Sequence, residues 1–72
     1  MIEVDARGLS CPLPLLKAKQ ALNAMQRGDE LRVLATDPGS VRDFRAFAEQ
    51  AGHELLESSQ QAELFCYRLR KG

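Results

Sequence analysis

The apolar residues of this chain change period between Gly8 and Pro14, and that switch leaves few folds open to it. Before it, Ile2 and Val4 alternate with Glu3 and Asp5, the two-residue repeat of a short strand with one buried face. After it, at about 100° per residue, Pro14, Leu15, Ala18, Ala21, Leu22 and Met25 fall on one arc, while Lys17, Lys19, Gln20 and Asn23 lie off it. Proline is tolerated in the first helical turn, where backbone N–H groups have no intrahelical acceptor. Pro12 and Pro14 therefore mark a helix start, and the helix is expected from about Pro12 to Gln26, with Gly28 stopping it as a C-terminal cap.

The strand period returns at Leu31, Val33 and Ala35, which alternate with Arg32, Leu34 and Thr36. Pro38-Gly39 makes a turn, and Ser40 with Asp43 three residues on reads as a capping box for a second helix. That helix places Val41, Phe44, Phe47, Ala48 and Ala51 on one side and ends at Gly52. His53 to Ser58 and Glu63 to Arg70 read as two strands joined by the polar Ser58–Ala62 turn, most simply an antiparallel hairpin. In the last strand, Phe65, Tyr67 and Leu69 share the core face, and Cys66 falls on the other with Leu64, Arg68 and Arg70.

The resulting order is β-α-β-α-β-β. Two helices cannot cover both faces of a four-stranded sheet in 72 residues, so an α/β (α+β) two-layer sandwich is expected, with a mixed sheet and both helices on one face. Right-handed β-α-β connections give that arrangement. If the first two strands are parallel, the Gly8–Cys11 and Asp37–Ser40 turns meet at the same sheet end, where open α/β sheets gather their active sites. A chain of this size buries only about 60% of its unfolded surface, which bounds it to a single domain over residues 1–72 with a modest core.

Within this frame Cys11 stands at or next to the helix N-cap, bracketed by Gly8 on one side and by Pro12 and Pro14 on the other. A buried core cysteine has no need of that bracket. The positive end of the helix dipole favours a thiolate, so Cys11 is expected to titrate below the free-cysteine value of about 8.5. Leu13 and Leu16 lie off the core arc within one turn of Cys11 and form a candidate apolar docking rim, flanked by Arg7 and Lys17. Asp5 and Asp37, at strand ends near this turn, read as turn and capping residues, because an aspartate beside a thiolate would raise its pKa.

Composition narrows the partners. Ten basic and ten acidic residues leave a net charge of zero, whereas a nucleic-acid module usually gathers a basic excess on one face. The local cluster of Arg7, Lys17, Lys19 and Arg27 is the one feature that could steer an acidic surface or an RNA. No long apolar run or charged-then-apolar leader occurs, so the cytoplasm is the expected compartment and no membrane partner is implied. Two cysteines 55 positions apart read as reduced thiols. One histidine and two distant cysteines lack the paired spacing of a zinc site, and no glycine-rich phosphate loop is present, so no metal or cofactor is expected. His53, at a helix-to-strand corner, would have to cross from the far end of the second helix to serve Cys11 as a base, so it reads as a polar corner residue.

The run Asp5-Ala6-Arg7-Gly8-Leu9-Ser10-Cys11-Pro12-Leu13-Pro14-Leu15, with Lys17 one turn on, resembles the Cys-Pro-x-Pro signature of the TusA/SirA family of small sulfur carriers. Later landmarks keep the family order: Gly28 before the second strand, Asp37-Pro38 before the second helix, Gly52-His53 after it, and a final apolar strand running into Arg70-Lys71. The resemblance implies the same layered fold. It also implies a persulfide carrier, expected as a monomer, in which a cysteine desulfurase or rhodanese-type donor loads Cys11 and a downstream protein accepts the sulfur. Transfer RNA thiolation, molybdenum-cofactor enzymes and sulfur oxidation are the pathways it leaves open. Two other classes remain on the residues alone: a thiol redox switch pairing Cys11 with Cys66, and a regulatory or nucleic-acid-binding module using the sheet face.

Overall fold

The alternating periods become four strands and two helices in a computed structural model that describes residues 1–72. In chain order these are β1 (Ile2–Ala6), α1 (Leu13–Asn23), β2 (Glu30–Ala35), α2 (Ser40–Ala51), β3 (Glu54–Gln61) and β4 (Leu64–Arg70). The strands form one mixed sheet in the order β1-β2-β4-β3. β1 runs parallel to β2, with Val4 opposite Val33 and Ala6 opposite Ala35, while β4 is antiparallel to both its neighbours. α1 packs over β1 and β2, and α2 over β3 and β4. This is the two-layer sandwich expected from the pattern.

The core lies between the layers. Leu31, Val33 and Ala35 of β2 and Phe65, Tyr67 and Leu69 of β4 are buried there against Ala18 and Leu22 of α1 and Phe44 and Ala48 of α2. Each fully buried large apolar side chain contributes roughly 1.5–3 kcal/mol. Tyr67 sits at the centre, its ring stacked on Phe44 at 4.5 Å between centroids and its hydroxyl 2.7 Å from Ser40 Oγ. On the opposite face the side chains are charged and paired: Arg68 reaches Glu30 and Glu57, and Arg70 reaches Glu30 and Glu54.

Several boundaries differ from the sequence expectation. α1 ends at Asn23 rather than Gln26, with Ala24 closing it, and Gly28 (φ 92°) instead turns the chain into β2. Ile2 is 42% exposed at the start of the edge strand β1, and Ala51 is exposed at the end of α2. β3 continues to Gln61, so the hairpin turn is only Ala62-Glu63. Ala62 takes a left-handed φ of 56° there, a conformation that costs a residue with a side chain about 1–2 kcal/mol. The pairing of β3 with β4 shifts register between Leu55 and Glu57.

α1 owes its C-terminal end to the far end of the chain. Lys71 Nζ donates to the carbonyls of Leu22 at 2.6 Å and Met25 at 2.7 Å, placing a cation on the negative end of the helix dipole. Lys71→Met should lower stability by about 1–2 kcal/mol, the scale of charge-assisted hydrogen bonds at a half-buried helix end. Urea unfolding would read this directly, and an unchanged midpoint would mean that the ammonium is solvated rather than bound.

Candidate functional site

Because β1 and β2 are parallel, their following loops leave the same end of the sheet, and they are tied together there. The Gly8 N–H donates to Thr36 Oγ1 at 2.9 Å. Gly8 holds φ 81°, a left-handed conformation that glycine adopts without a Cβ clash. Leu9 packs against the core, which turns the chain so that Cys11 emerges exposed, directly before the α1 N-cap Pro12. The Cys11–Pro12 peptide bond is cis.

The second loop comes up against the thiol. A Cβ placed on Gly39 would lie 3.6 Å from Cys11 Cβ, an ordinary contact distance that sets this loop directly against the cysteine, and 2.9 Å from Asp37 Oδ2, a clash that glycine avoids. The Cys11 thiol donates to Asp43 Oδ2 at 2.6 Å. Asp43 stands in the first turn of α2, but α2 starts one residue earlier than the capping-box pattern requires. Its N-cap is Gly39, and Ser40 is buried with its hydroxyl donating to the Asp37 carbonyl. That shift of one residue takes Asp43 off the capping position and turns its carboxylate to Cys11.

The consequence overturns the expected titration of Cys11. The hydrogen bond to Asp43, partial desolvation and the negative charges of Asp43 and Asp37 push the thiol above its ordinary value, and Arg42 offsets this only in part. The helix end supplies little compensation. Pro12 and Pro14 carry no N–H, and the Leu13 N–H is already bonded to the Ser10 carbonyl at 2.8 Å. Asp37 is a turn residue, its carbonyl accepting the Ser40 N–H and hydroxyl, and its Oδ2 is buried beside the site without a hydrogen-bond partner. Asp5 does behave as a turn residue. It accepts the Arg7 backbone N–H and guanidinium, which hold its carboxyl down at about 2.

A sequence model of the family described as Sulfurtransferase TusA matches residues 2–71, nearly the entire chain. The chain belongs to the TusA family. It is 56% identical over 69 residues to the sulfur carrier protein TusA of Allochromatium vinosum, covering 96% of this chain and 91% of that one. It is 41% identical over 68 residues to the sulfur carrier protein TusA of Pseudomonas putida, covering 94% and 85%. Among solved structures, the SirA-like protein of Desulfitobacterium hafniense superposes with a TM-score of 0.85 at 28% identity, over 100% of this chain and 99% of that one.

Around the Cys-Pro-x-Pro turn of this TusA-family chain, the residues singled out in the sequence are placed as follows. Pro14 is buried on the core side of α1, while Leu13 and Leu16 are 47% and 44% exposed on the same helix. Arg7 is clipped to Asp5, and Lys17 Nζ lies 3.5 Å from the Asp5 carbonyl. Lys19 instead sits over the Phe47 ring at 5.4 Å, and Arg27 lies beyond the far end of α1, so the four bases do not form one patch. Cys66 pairs in register with Leu34 and Ser59 on the open face, with the sheet between it and the helix layer that holds Cys11. His53 stands at the other end of the molecule, accepting the Gly72 N–H through Nδ1 and tilted against Phe47.

Three contributors to the site were missed in the sequence: Thr36, Gly39 and Asp43. The expected meeting of the Gly8–Cys11 and Asp37–Ser40 turns is found, yet nothing local said that Gly39 would be the residue set against Cys11. Asp43 was masked by a stronger local explanation, the Ser40-x-x-Asp43 cap.

Proposed function

We propose that this chain carries a sulfane sulfur on Cys11, taken as a persulfide from a cysteine desulfurase or rhodanese-type donor and relayed to an acceptor protein. The observation that carries the reading is the exposed Cys11 thiol presented where two strand-end loops meet, in a chain of the TusA family. Once it has given up its proton, such a thiol attacks the outer sulfur of a donor persulfide, as in thiol–disulfide exchange. Gly8, Pro12 and Pro14 shape the turn that presents it, and residues 1–72 act as one carrier domain, a monomer in the cytoplasm. No helix is long and apolar enough to cross a membrane. Transfer RNA thiolation, molybdenum-cofactor enzymes and sulfur oxidation are the candidate destinations. The test is intact mass after incubation with a desulfurase and cysteine. A gain of one sulfur atom, removed by reductant, is expected; loss of two hydrogens would instead indicate a Cys11–Cys66 redox switch.

The docking surface in this reading is the Leu13–Leu16 rim with Lys17 and Arg7 at its flank. Since Leu13 is nearly half exposed, Leu13→Glu should change stability by no more than about 0.5 kcal/mol, as surface substitutions do. Loss of an apolar anchor should still cost about 2 kcal/mol of donor binding, roughly thirtyfold in affinity. Thermal unfolding beside calorimetric titration with the desulfurase measures both. Unchanged binding would move the contact away from this rim.

A further inference from the structure

We propose that Asp43 is a positioning residue acting through Cys11, its carboxylate holding the thiol in one orientation and keeping its proton in place in the unloaded carrier. The proposal rests on Cys11 being the carrier thiol. It stands on three geometric observations. The Sγ–Oδ2 distance is 2.6 Å, short for a thiol donor. Asp43 stands in the first turn of α2 but off the capping position, and no side-chain cap bond is made there, so its Oδ2 is free to take the thiol. The loop that leads into α2 lies against the thiol, a Cβ on Gly39 standing at an ordinary contact distance of 3.8 Å from Sγ. The charged groups facing the thiol are Asp43 and Arg42 from α2 and Asp37 from the loop before it, so two carboxylates outweigh one guanidinium.

A thiol held this way is a poor nucleophile toward stray electrophiles, because the thiolate is the reacting form. Loading then follows a balanced exchange. Cys11–SH and a donor R–S–SH give Cys11–S–SH and R–SH. The Cys11 sulfur bonds to the outer donor sulfur, the donor S–S bond breaks, and its electron pair leaves on R–S⁻. The proton released from Cys11 ends on that departing sulfur, and no external oxidant or reductant takes part. Asp43 does not touch the donor in this scheme. It sets when Cys11 is a thiol.

The test is the pH dependence of Cys11 alkylation by iodoacetamide, followed by intact mass on the full chain in a Cys66→Ser background. Asp43→Asn should move the midpoint to lower pH, and each unit of movement gives about tenfold faster alkylation well below the midpoint. Asp43→Glu, which keeps the charge, should keep a midpoint above that of Asp43→Asn. A site that is merely loosened would change the rate equally at all pH values and leave the midpoint where it is, which would overturn the proposal. So would equal midpoints for the Asn and Glu variants. If circular dichroism shows that Asp43→Asn is misfolded, Asp43→Ser replaces it with the same expected shift and the same overturning result. Persulfide loading of the parent is scored separately: its failure would remove the carrier reading, while the alkylation midpoints still decide the role of Asp43.

Discussion

Replacement of Cys11 by serine will abolish sulfur uptake while leaving the fold in place. The thiol is exposed and makes no contribution to the core. A serine hydroxyl can donate to Asp43 as the thiol does, so the junction of the two loops should survive. The loss in uptake should be complete rather than graded, because an alcohol does not form a persulfide and the other cysteine lies across the sheet. Labelled-sulfur transfer from a desulfurase, run beside Cys66→Ser, is the deciding measurement. Cys66→Ser should load like the parent, since Cys66 is a half-buried strand residue beside Leu34 and Ser59. Uptake retained in Cys11→Ser would sink the carrier assignment.

The largest expected loss of stability is at Tyr67. Its ring is fully buried, is stacked on Phe44, and reaches Ser40 through its hydroxyl. Truncating a buried aromatic to alanine costs about 3–5 kcal/mol. A chain of 72 residues has roughly 4–11 kcal/mol in all at the usual stability per residue. Tyr67→Ala should therefore remove a large part of that total, and all of it at the low end of the range, as a much lower midpoint in denaturant followed by circular dichroism would show. Tyr67→Phe should lose about 1 kcal/mol, one net hydrogen bond. Ser40 keeps its bond to the Asp37 carbonyl in that variant, so the loop facing Cys11 stays anchored. A Tyr67→Ala protein as stable as Tyr67→Phe would mean that the ring is not the keystone its burial implies.

Much of this architecture was legible in the residues. The two-residue alternation of Leu31, Val33 and Ala35 and of Phe65, Tyr67 and Leu69 identified the core faces, and these are the residues buried in the structure. Helical spacing assigned Ala18, Leu22, Phe44 and Ala48 inward and Leu13 and Leu16 outward, as found. Both follow because burial on an amphipathic element depends on local period alone. Element ends were less legible. Gly28 looked like a helix cap, but the last turn of α1 is closed by Ala24 and by Lys71, more than forty residues away in the chain. The Ala62-Glu63 turn carries no turn signature, since alanine in a left-handed conformation is held there by the pairing of the strands on either side.

The sequence by itself determined which thiol is exposed at a strand-to-helix turn, because Gly8, Pro12 and Pro14 constrain the backbone on both sides of Cys11 whatever the rest of the chain does. Only the tertiary structure decided the electrostatics of that thiol. The local reading saw a helix N-terminus and expected a stabilised thiolate. Parallel pairing of β1 with β2 instead brings α2 alongside and sets Asp43 at 2.6 Å from the sulfur. A carboxylate at hydrogen-bond distance outweighs a helix end whose first turn has lost donors to two prolines. Thirty-two residues separate Cys11 from Asp43, and the charge around a site depends on distance in space, which no local pattern of residues encodes.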